Sequence, residues 1–251
     1  MGERVVLMYH GIEFPAIYGS LVYTVKREEF INQLDLIKEI GLEVKLLDSE
    51  IKDRDIVISF DDGEESVYRV AFPLMEERGF KGELYITTDW IGKEQYLRRE
   101  MIKELKENGW SIGSHGKSHR FLRVLPEKEI EKELKDSKSF LEDIIGEEVK
   151  KLSLPGGRGD KRVIELAKTI GYEYILNSIP GINIEPLNKE SIKRVAIKRG
   201  LPSAYFLLII NFCRPFFYTL DLYYNLKEGL KRVLGDERYH SVIKFLYKYR
   251  E

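Results

Sequence analysis

Cysteine is almost absent from this chain of 251 residues, since Cys213 is its single thiol. One cysteine excludes an intramolecular disulfide, and the apolar residues around it favour a buried thiol over a nucleophile. An excess of one charge is also missing, because 41 basic and 42 acidic residues leave a net charge of -1. Without a basic surface that attracts phosphates, we expect no nucleic-acid partner.

Long uninterrupted apolar runs are lacking too. The first ten residues reach polar side chains too early for the apolar region of a signal peptide and offer no small-residue cleavage site, so we expect a cytoplasmic protein. Residues 205–222 are apolar but contain Asn211, Arg214 and Pro215, which is typical of a segment that does not span a membrane. We expect this segment to pack on the rest of the chain or on a partner in an oligomer. Peripheral attachment to the inner face of the membrane is the alternative.

Short strand-like runs alternate with helical patterns along the first 200 residues. The runs at 5–9, 56–60, 83–87 and 110–113 are separated by stretches whose apolar residues recur at helical spacing. Strands separated by helices of this length indicate right-handed crossovers and a parallel sheet. We predict an α/β fold, with an irregular (β/α) barrel of about seven parallel strands at 1–200 and a helical C-terminal extension at 201–251.

Two adjacent carboxylates follow the run at 56–60. Asp61 and Asp62 stand at its carboxyl end, where barrel-type folds place their sites, and Gly63 comes next. Neighbouring side chains cannot both point to one face of an extended chain, so a division of roles between a base and a metal ligand is natural. An ordinary Asp-Gly turn is the alternative when the motif is considered alone.

Two histidines four residues apart decide between these interpretations. The chain contains 4 histidines, and His115 and His119 both follow the strand-like run at 110–113. They could converge on one ion if the segment curls into a helical turn. Two imidazoles and a strand-end carboxylate bind a zinc-like ion and leave positions open for water and substrate. We predict one divalent ion, with zinc expected and iron, cobalt or nickel as alternatives.

At these motifs the chain resembles the polysaccharide deacetylase family, also called carbohydrate esterase family four. Residues 58–63 resemble its first motif, which implies that Asp61 is the general base and Asp62 a metal ligand. Residues 113–119 resemble its second motif, with Gly116 in place of the usual serine or threonine. This second resemblance implies that His115 and His119 complete the metal site.

The third motif of the family is matched only weakly, by residues 153–157. This resemblance implies that the backbone N–H of Gly156 donates to the oxyanion of the reaction. Ser153 and Gly156 replace the arginine and tyrosine of the family motif. Arg158 and Arg194 are therefore the two candidates for orienting the base.

The general acid of the family is a histidine near the C-terminus, and no matching motif follows residue 197. Residues 8–10 instead resemble the corresponding motif of a circularly permuted subgroup, which implies that His10 is the general acid. A strand-end histidine with a structural hydrogen bond is the alternative.

The resemblance implies a metal-dependent hydrolase that removes an N-acetyl or similar acyl group from an amino sugar in a saccharide or glycoconjugate. In the cytoplasm, its substrate would be a lipid-linked or nucleotide-linked N-acetyl sugar or a short oligosaccharide. Two other classes stay open. The missing third-motif arginine suits a non-catalytic carbohydrate-binding or scaffold protein on the same fold. Residues 109–113 fit the G-x-S-x-G motif of serine hydrolases, with Ser111 as nucleophile, although a strand follows where that motif needs a helix.

Overall fold

A pair of long parallel strands forms the centre of the structure. The computed structural model describes residues 2–51 and 53–234, and strands β1 (Glu3–Tyr9) and β3 (Arg54–Phe60) pair along their whole length, from Glu3 opposite Arg54 to Tyr9 opposite Phe60. Apart from Arg54, the residues of both strands are buried on both faces, as expected for parallel strands covered on both sides.

The other strands are shorter and extend the sheet on each side of this pair. They are β2 (Glu43–Val44), β4 (Glu83–Ile86), β5 (Ser111–Ser114), β6 (Lys151–Ser153), β7 (Tyr174–Leu176), β8 (Asn183–Ile184) and β9 (Val195–Ala196). The order is β7-β6-β5-β4-β3-β1-β8, with β2 beside β3 and β9 beside β1. Ile192 also bridges Leu176 of β7, so the sheet curls back toward β1. The predicted α/β barrel fold is confirmed, with β8 as an antiparallel addition.

The helices lie between successive strands or follow the last strand. They are α1 (Arg27–Ile40), α2 (Phe72–Glu76), α3 (Arg99–Glu107), α4 (Glu127–Ile145), α5 (Lys161–Ile170), α6 (Ser203–Ile210) and α7 (Arg214–Leu234). Between β3 and β4 the chain forms a π-helical turn, Val67–Ala71, followed by the short α2. Pro73 lies in the first turn of α2, where its missing N–H removes no helical hydrogen bond.

The side chains of each strand divide between two cores. In β1, Val5 and Leu7 pack in the larger core with the surrounding helices, whereas Val6 points into the barrel with Val57 and Tyr85. This alternation follows from the two-residue period of a strand. Because the strands other than β8 run parallel, their carboxyl ends lie at the same edge of the barrel. The loops that carry Asp61 and His115 begin at this edge.

The C-terminal helices pack on the barrel with one side only. Phe206, Ile209 and Phe217 are buried, while Tyr205 and Tyr218 are exposed. No single helix in residues 2–51 and 53–234 is long and apolar enough to cross a membrane, although α6 and Arg214–Leu230 pass that test together, with a bend of 107° between them. The predicted helical extension spans 201–251, and its residues 235–251 lie outside the described residues.

Candidate active site

The turn after β3 separates the two adjacent carboxylates. Asp62 has φ 75° and Gly63 has φ 86°, so the chain reverses direction immediately after Asp61. A positive φ is uncommon for aspartate, and such conformations concentrate at functional sites. A Cβ on Gly63 would lie 3.0 Å from the side chain of Ile86, which leaves little room for another residue. The turn directs Asp61 toward Arg194 and Asp62 toward the two histidines.

His115 is fixed by the strand next to its own. It follows β5, is buried, and its Nδ1 lies 2.8 Å from the backbone oxygen of Ser153 at the end of β6. A carbonyl oxygen can only accept, so Nδ1 carries the proton and Nε2 presents a lone pair. Burial lowers the pKa of His115 to about 4, which keeps the imidazole neutral at physiological pH. Its Nε2 is therefore available to a metal ion.

His119 reaches the site through a loop rather than through the helical turn that the sequence suggested. Gly116 and His119 both have positive φ, 73° and 62°, and neither lies in a helix. Glu133 of α4 is buried beneath this loop and accepts hydrogen bonds from the backbone N–H groups of Lys117 and Ser118, at 3.0 and 2.9 Å. The expected helical turn is thus wrong. A carboxylate that accepts these N–H groups stabilises the unusual loop instead.

Asp62, His115 and His119 converge on one point. The Oδ1 atom of Asp62 lies 3.5 Å from Nε2 of His115 and 3.3 Å from Nε2 of His119, and the three candidate ligand atoms lie within 4.8 Å of one another. Asp62 Oδ1 is buried and accepts no hydrogen bond from the described residues. A buried carboxylate oxygen without a donor, facing two imidazole nitrogens, is the ligand set of a zinc-like divalent ion. These residues fit such an ion.

Asp61 is held by an arginine distant in sequence. Arg194, fully buried, donates from Nη1 and Nη2 to the two carboxylate oxygens at 2.7 and 2.8 Å, and Ser153 Oγ donates to Asp61 at 3.1 Å. Burial alone would raise the pKa of Asp61, but the charge and hydrogen bonds of Arg194 outweigh burial and hold this pKa well below its usual range. Asp61 is therefore ionised at neutral pH.

Of the two arginines that the sequence offered for orienting the base, the structure places Arg194 on Asp61. Arg158 forms an ion pair with Glu228 of α7 at 2.9 Å instead. The arginine missing from the third motif is therefore supplied from residue 194, next to β9. This removes the one observation that favoured a non-catalytic protein.

Gly156 lies in a tight turn, Pro155–Gly157, at the end of β6. It has φ 65°, and a Cβ at this position would lie 2.4 Å from the ring of Phe121. Both the backbone conformation and the close contact with Phe121 require glycine here. The turn follows Ser153, which contacts Asp61, so the Gly156 backbone lies at the same edge of the barrel as the base.

His10 follows β1 at this same edge. The preceding residue, Tyr9, accepts the backbone N–H of Asp61 at 3.0 Å, so the end of β1 that carries His10 lies next to the turn that carries the two aspartates. Nδ1 of His10 is buried and makes no hydrogen bond to the described residues, and its ring lies 4.8 Å from the ring of Tyr23. A structural hydrogen bond through Nδ1, the alternative role for this histidine, is therefore not formed within residues 2–51 and 53–234.

Comparison with known proteins identifies the family. The family model described as polysaccharide deacetylase matches residues 48–175, about half of the chain. The chain belongs to the polysaccharide deacetylase family. The matched range contains Asp61, Asp62, His115, His119 and Gly156, whereas His10 and Arg194 lie outside it. Membership confirms the predicted resemblance and enzyme class, a deacetylase, and the permuted order of motifs stays a prediction.

Several relatives within this deacetylase family cover much of the chain. YxkH, a proposed polysaccharide deacetylase of Bacillus subtilis, is 25% identical over 80% of this chain and 74% of its own length. Peptidoglycan-N-acetylglucosamine deacetylase of Bacillus cereus is 26% identical over 48% of this chain and 55% of its own. Poly-beta-1,6-N-acetyl-D-glucosamine N-deacetylase of Staphylococcus aureus is 24% identical over 61% of this chain and 60% of its own. The chain thus spans little more than half of the last two.

Solved structures of deacetylases share the fold. The polysaccharide deacetylase BC0361 of Bacillus cereus has a TM-score of 0.74 and 27% identity, over 83% of this chain and 69% of that one. The Streptococcus pyogenes deacetylase PplD has a TM-score of 0.75 and 22% identity, over 83% of this chain and 98% of that one. The second likeness shows the fold alone.

Ser111 does not form the nucleophile elbow of a serine hydrolase in this deacetylase. It is the first residue of β5, at the opposite end of the strand from His115. Its Oγ accepts a hydrogen bond from Lys151 Nζ at 2.8 Å. An elbow needs its serine at a strand-to-helix turn beside a base, so this geometry contradicts the Ser111 alternative.

Two glutamates that the sequence reasoning missed support the site. Glu133 accepts the backbone N–H groups of the loop before His119. In the sequence it could have been noticed as a charged residue beside Leu134, on the apolar stripe of a helix. Glu64 is buried two residues after Asp62 and accepts the Ala16 N–H at 3.0 Å, which fixes the loop that follows His10. Burial raises the pKa of Glu64 to about 7. No sequence pattern marks Glu64 as buried.

Proposed function

We propose that the protein is a metal-dependent N-deacetylase that releases acetate from N-acetylglucosamine units of an oligosaccharide or polysaccharide. The observation that carries this proposal is the division between Asp61, held ionised by Arg194, and Asp62, which faces His115 and His119. One carboxylate is kept as a base while its neighbour is left for an ion. The names of the Bacillus cereus and Staphylococcus aureus relatives support the substrate class.

Asp62, His115 and His119 would hold the divalent ion, with zinc expected and iron, cobalt or nickel as alternatives. A bound ion of this kind supplies a Lewis acid that polarises the acetamide carbonyl and makes water more acidic. Asp61 accepts the proton of the attacking water, and Arg194 fixes the orientation of its carboxylate for this step.

Gly156 and His10 complete the reaction. The Gly156 N–H donates to the oxyanion that develops as the water oxygen bonds to the carbonyl carbon. His10, protonated, gives its proton to the sugar nitrogen while the C–N bond breaks. The products are acetate and a free amino sugar. The position of His10 after β1, next to the turn that carries both aspartates, supports this role.

The two adjacent aspartates provide a matched test. Asp61→Asn and Asp62→Asn make the same chemical change one residue apart, and metal content and acetate release are measured on N-acetylglucosamine oligomers. Asp61→Asn is expected to retain the ion and to lose turnover by about 10²- to 10⁴-fold, the usual contribution of a general base. Asp62→Asn is expected to lose the ion itself. An Asp61→Asn variant with wild-type turnover would refute the base assignment.

A further inference from the structure

The two histidines of the metal site are oriented by different means. Nδ1 of His115 lies 2.8 Å from the backbone oxygen of Ser153, and this hydrogen bond fixes the ring. The side chain of His119 is 31% exposed. Its polar and ring partners in the described part of the chain are Asp62, His115 and Trp90. A metal-binding histidine usually donates its second N–H to a carboxylate, a carbonyl oxygen or water. Because none of these three partners offers Nδ1 of His119 a backbone acceptor like Ser153, another contact must fix this ring.

The indole of Trp90 lies nearly flat against the ring of His119. The two ring centres are 4.9 Å apart, and the ring planes are inclined by only 29°. This is stacked geometry, in which two aromatic rings attract each other beyond the gain from buried area. Tilting the His119 ring would break the stack, so Trp90 restrains the direction in which Nε2 of His119 points.

Two tyrosines in turn restrain Trp90. The ring of Tyr96, which is 1% exposed, lies 5.0 Å from the indole, and the ring of Tyr18 lies 5.3 Å from it. Tyr96 belongs to a segment that is bound to the turn after β3, because the backbone N–H of Leu97 donates to the backbone oxygen of Gly63 at 3.0 Å. The indole therefore packs on a segment that is attached to the turn of the two aspartates.

The backbone before the indole is also joined to the loop that follows β5. Trp90 ends a short 3₁₀ turn, Thr88–Trp90, which follows β4. The backbone N–H of Asp89 donates to the backbone oxygen of Lys117 at 2.8 Å. The two loops meet because β4 and β5 are neighbours in the sheet. A hydrogen bond and a ring stack thus connect the same two loops, on each side of the metal ligand.

We propose that Trp90 is a positioning residue that holds His119 in the orientation needed to bind the ion. The proposal rests on the proposed metal site and adds a residue that acts through His119 rather than on the ion itself. It makes metal affinity depend on a flat ring at position 90, because stacking needs a planar partner. An aliphatic side chain fills part of the same space without this geometry.

The test measures the affinity of the metal-free chain for Zn²⁺ by competition with a coloured chelator, in the absence of substrate. Trp90→Leu is expected to bind about 10- to 100-fold more weakly, the usual loss when a group that orients a metal-binding histidine is removed. Trp90→Phe keeps a flat ring and is expected to stay within about threefold of wild type. Phe140→Leu is the matched control, since it removes a partly exposed ring of α4 that packs on Arg99, and it should bind as wild type.

Tryptophan fluorescence provides a second measurement, which keeps Trp90 in place. The chain has 2 tryptophans, and Trp110 is 1% exposed and stacks on Phe60. In Trp110→Phe the tryptophan emission comes from Trp90 alone, and it should change with added Zn²⁺ at the midpoint of the metal titration. In Trp90→Phe the remaining emission, from Trp110, should stay constant.

Equal Zn²⁺ affinities for Trp90→Leu and wild type would overturn the role of Trp90 while leaving the metal site standing. So would equal losses of affinity in Trp90→Phe and Trp90→Leu, or a Trp90 emission that does not respond to Zn²⁺. Failure of wild type to bind Zn²⁺, Fe²⁺, Co²⁺ and Ni²⁺ alike would overturn the metal site itself.

Discussion

Replacing Arg194 by methionine tests the structural basis of the site most sharply. The side chains of Arg194 and Asp61 are both buried, and two hydrogen bonds of 2.7 and 2.8 Å join them. Removing one partner of a buried ion pair costs about 3–5 kcal/mol, because the other charge is left without compensation. For a domain of this size we expect the melting temperature to fall by about 6–20 °C.

The loss of stability in Arg194→Met should depend on pH, and the direction of this dependence follows from the pKa of Asp61. In wild type the pKa of Asp61 is held below its unfolded value, so the pair stabilises fully at every pH above that unfolded pKa. In Arg194→Met, burial raises the pKa of Asp61 above its unfolded value, so stability is lost as pH rises through the new pKa. Urea denaturation of the metal-free proteins should therefore show a larger difference at pH 8 than at pH 5.

Arg4→Met is a matched control for this experiment. Arg4 and Asp55 form a second buried pair at 2.6 Å, at the start of β1 and β3 and away from the site. Arg4→Met should destabilise comparably yet keep wild-type kcat at temperatures well below unfolding, whereas Arg194→Met should lose turnover. An Arg194→Met variant within about 1 kcal/mol of wild type, or with unchanged kcat, would contradict the assignment of Arg194 to the base.

Two further predictions concern the backbone of the site. Glu133→Ala should weaken metal binding by about 10- to 100-fold, measured by titration of the metal-free chain, because the loop before His119 loses its acceptor. Glu131→Ala, on the exposed side of the same helix, should bind the metal as wild type does. Equal metal affinities for Glu133→Ala and wild type would contradict the role of Glu133 in holding this loop. Gly156→Ala should lose kcat/KM for acetate release and lower the melting temperature, since its Cβ would collide with Phe121. Gly146→Ala has a similar positive φ and open space around it, so it should show only the cost of the left-handed backbone, about 1–2 kcal/mol.

The barrel was predictable because buried parallel strands and helices leave different periodicities in the sequence. The same periodicities show where the strands end, and Asp61 and His115 could be assigned to the site because they follow strand ends. The conformation between His115 and His119 was not predictable, because it depends on Glu133, which reaches the loop from a helix later in the chain.

The choice between the two candidate arginines also depended on tertiary structure. Arg194 is separated from Asp61 by 133 residues, and only the curling of the sheet brings them together. Arg158 is closer in sequence to the third motif but contacts α7. The cytoplasmic location, oligomeric state and membrane attachment of the protein stay predictions from the sequence.

The most direct test of a metal-dependent deacetylase is acetate release from N-acetylglucosamine tetramers by chelator-stripped protein, before and after one equivalent of Zn²⁺ is restored. We expect no release from the stripped protein and recovery with the ion, in wild type but not in His115→Ala. Undiminished release by the stripped protein would contradict metal dependence. So would failure of Zn²⁺, Fe²⁺, Co²⁺ and Ni²⁺ alike to restore any release.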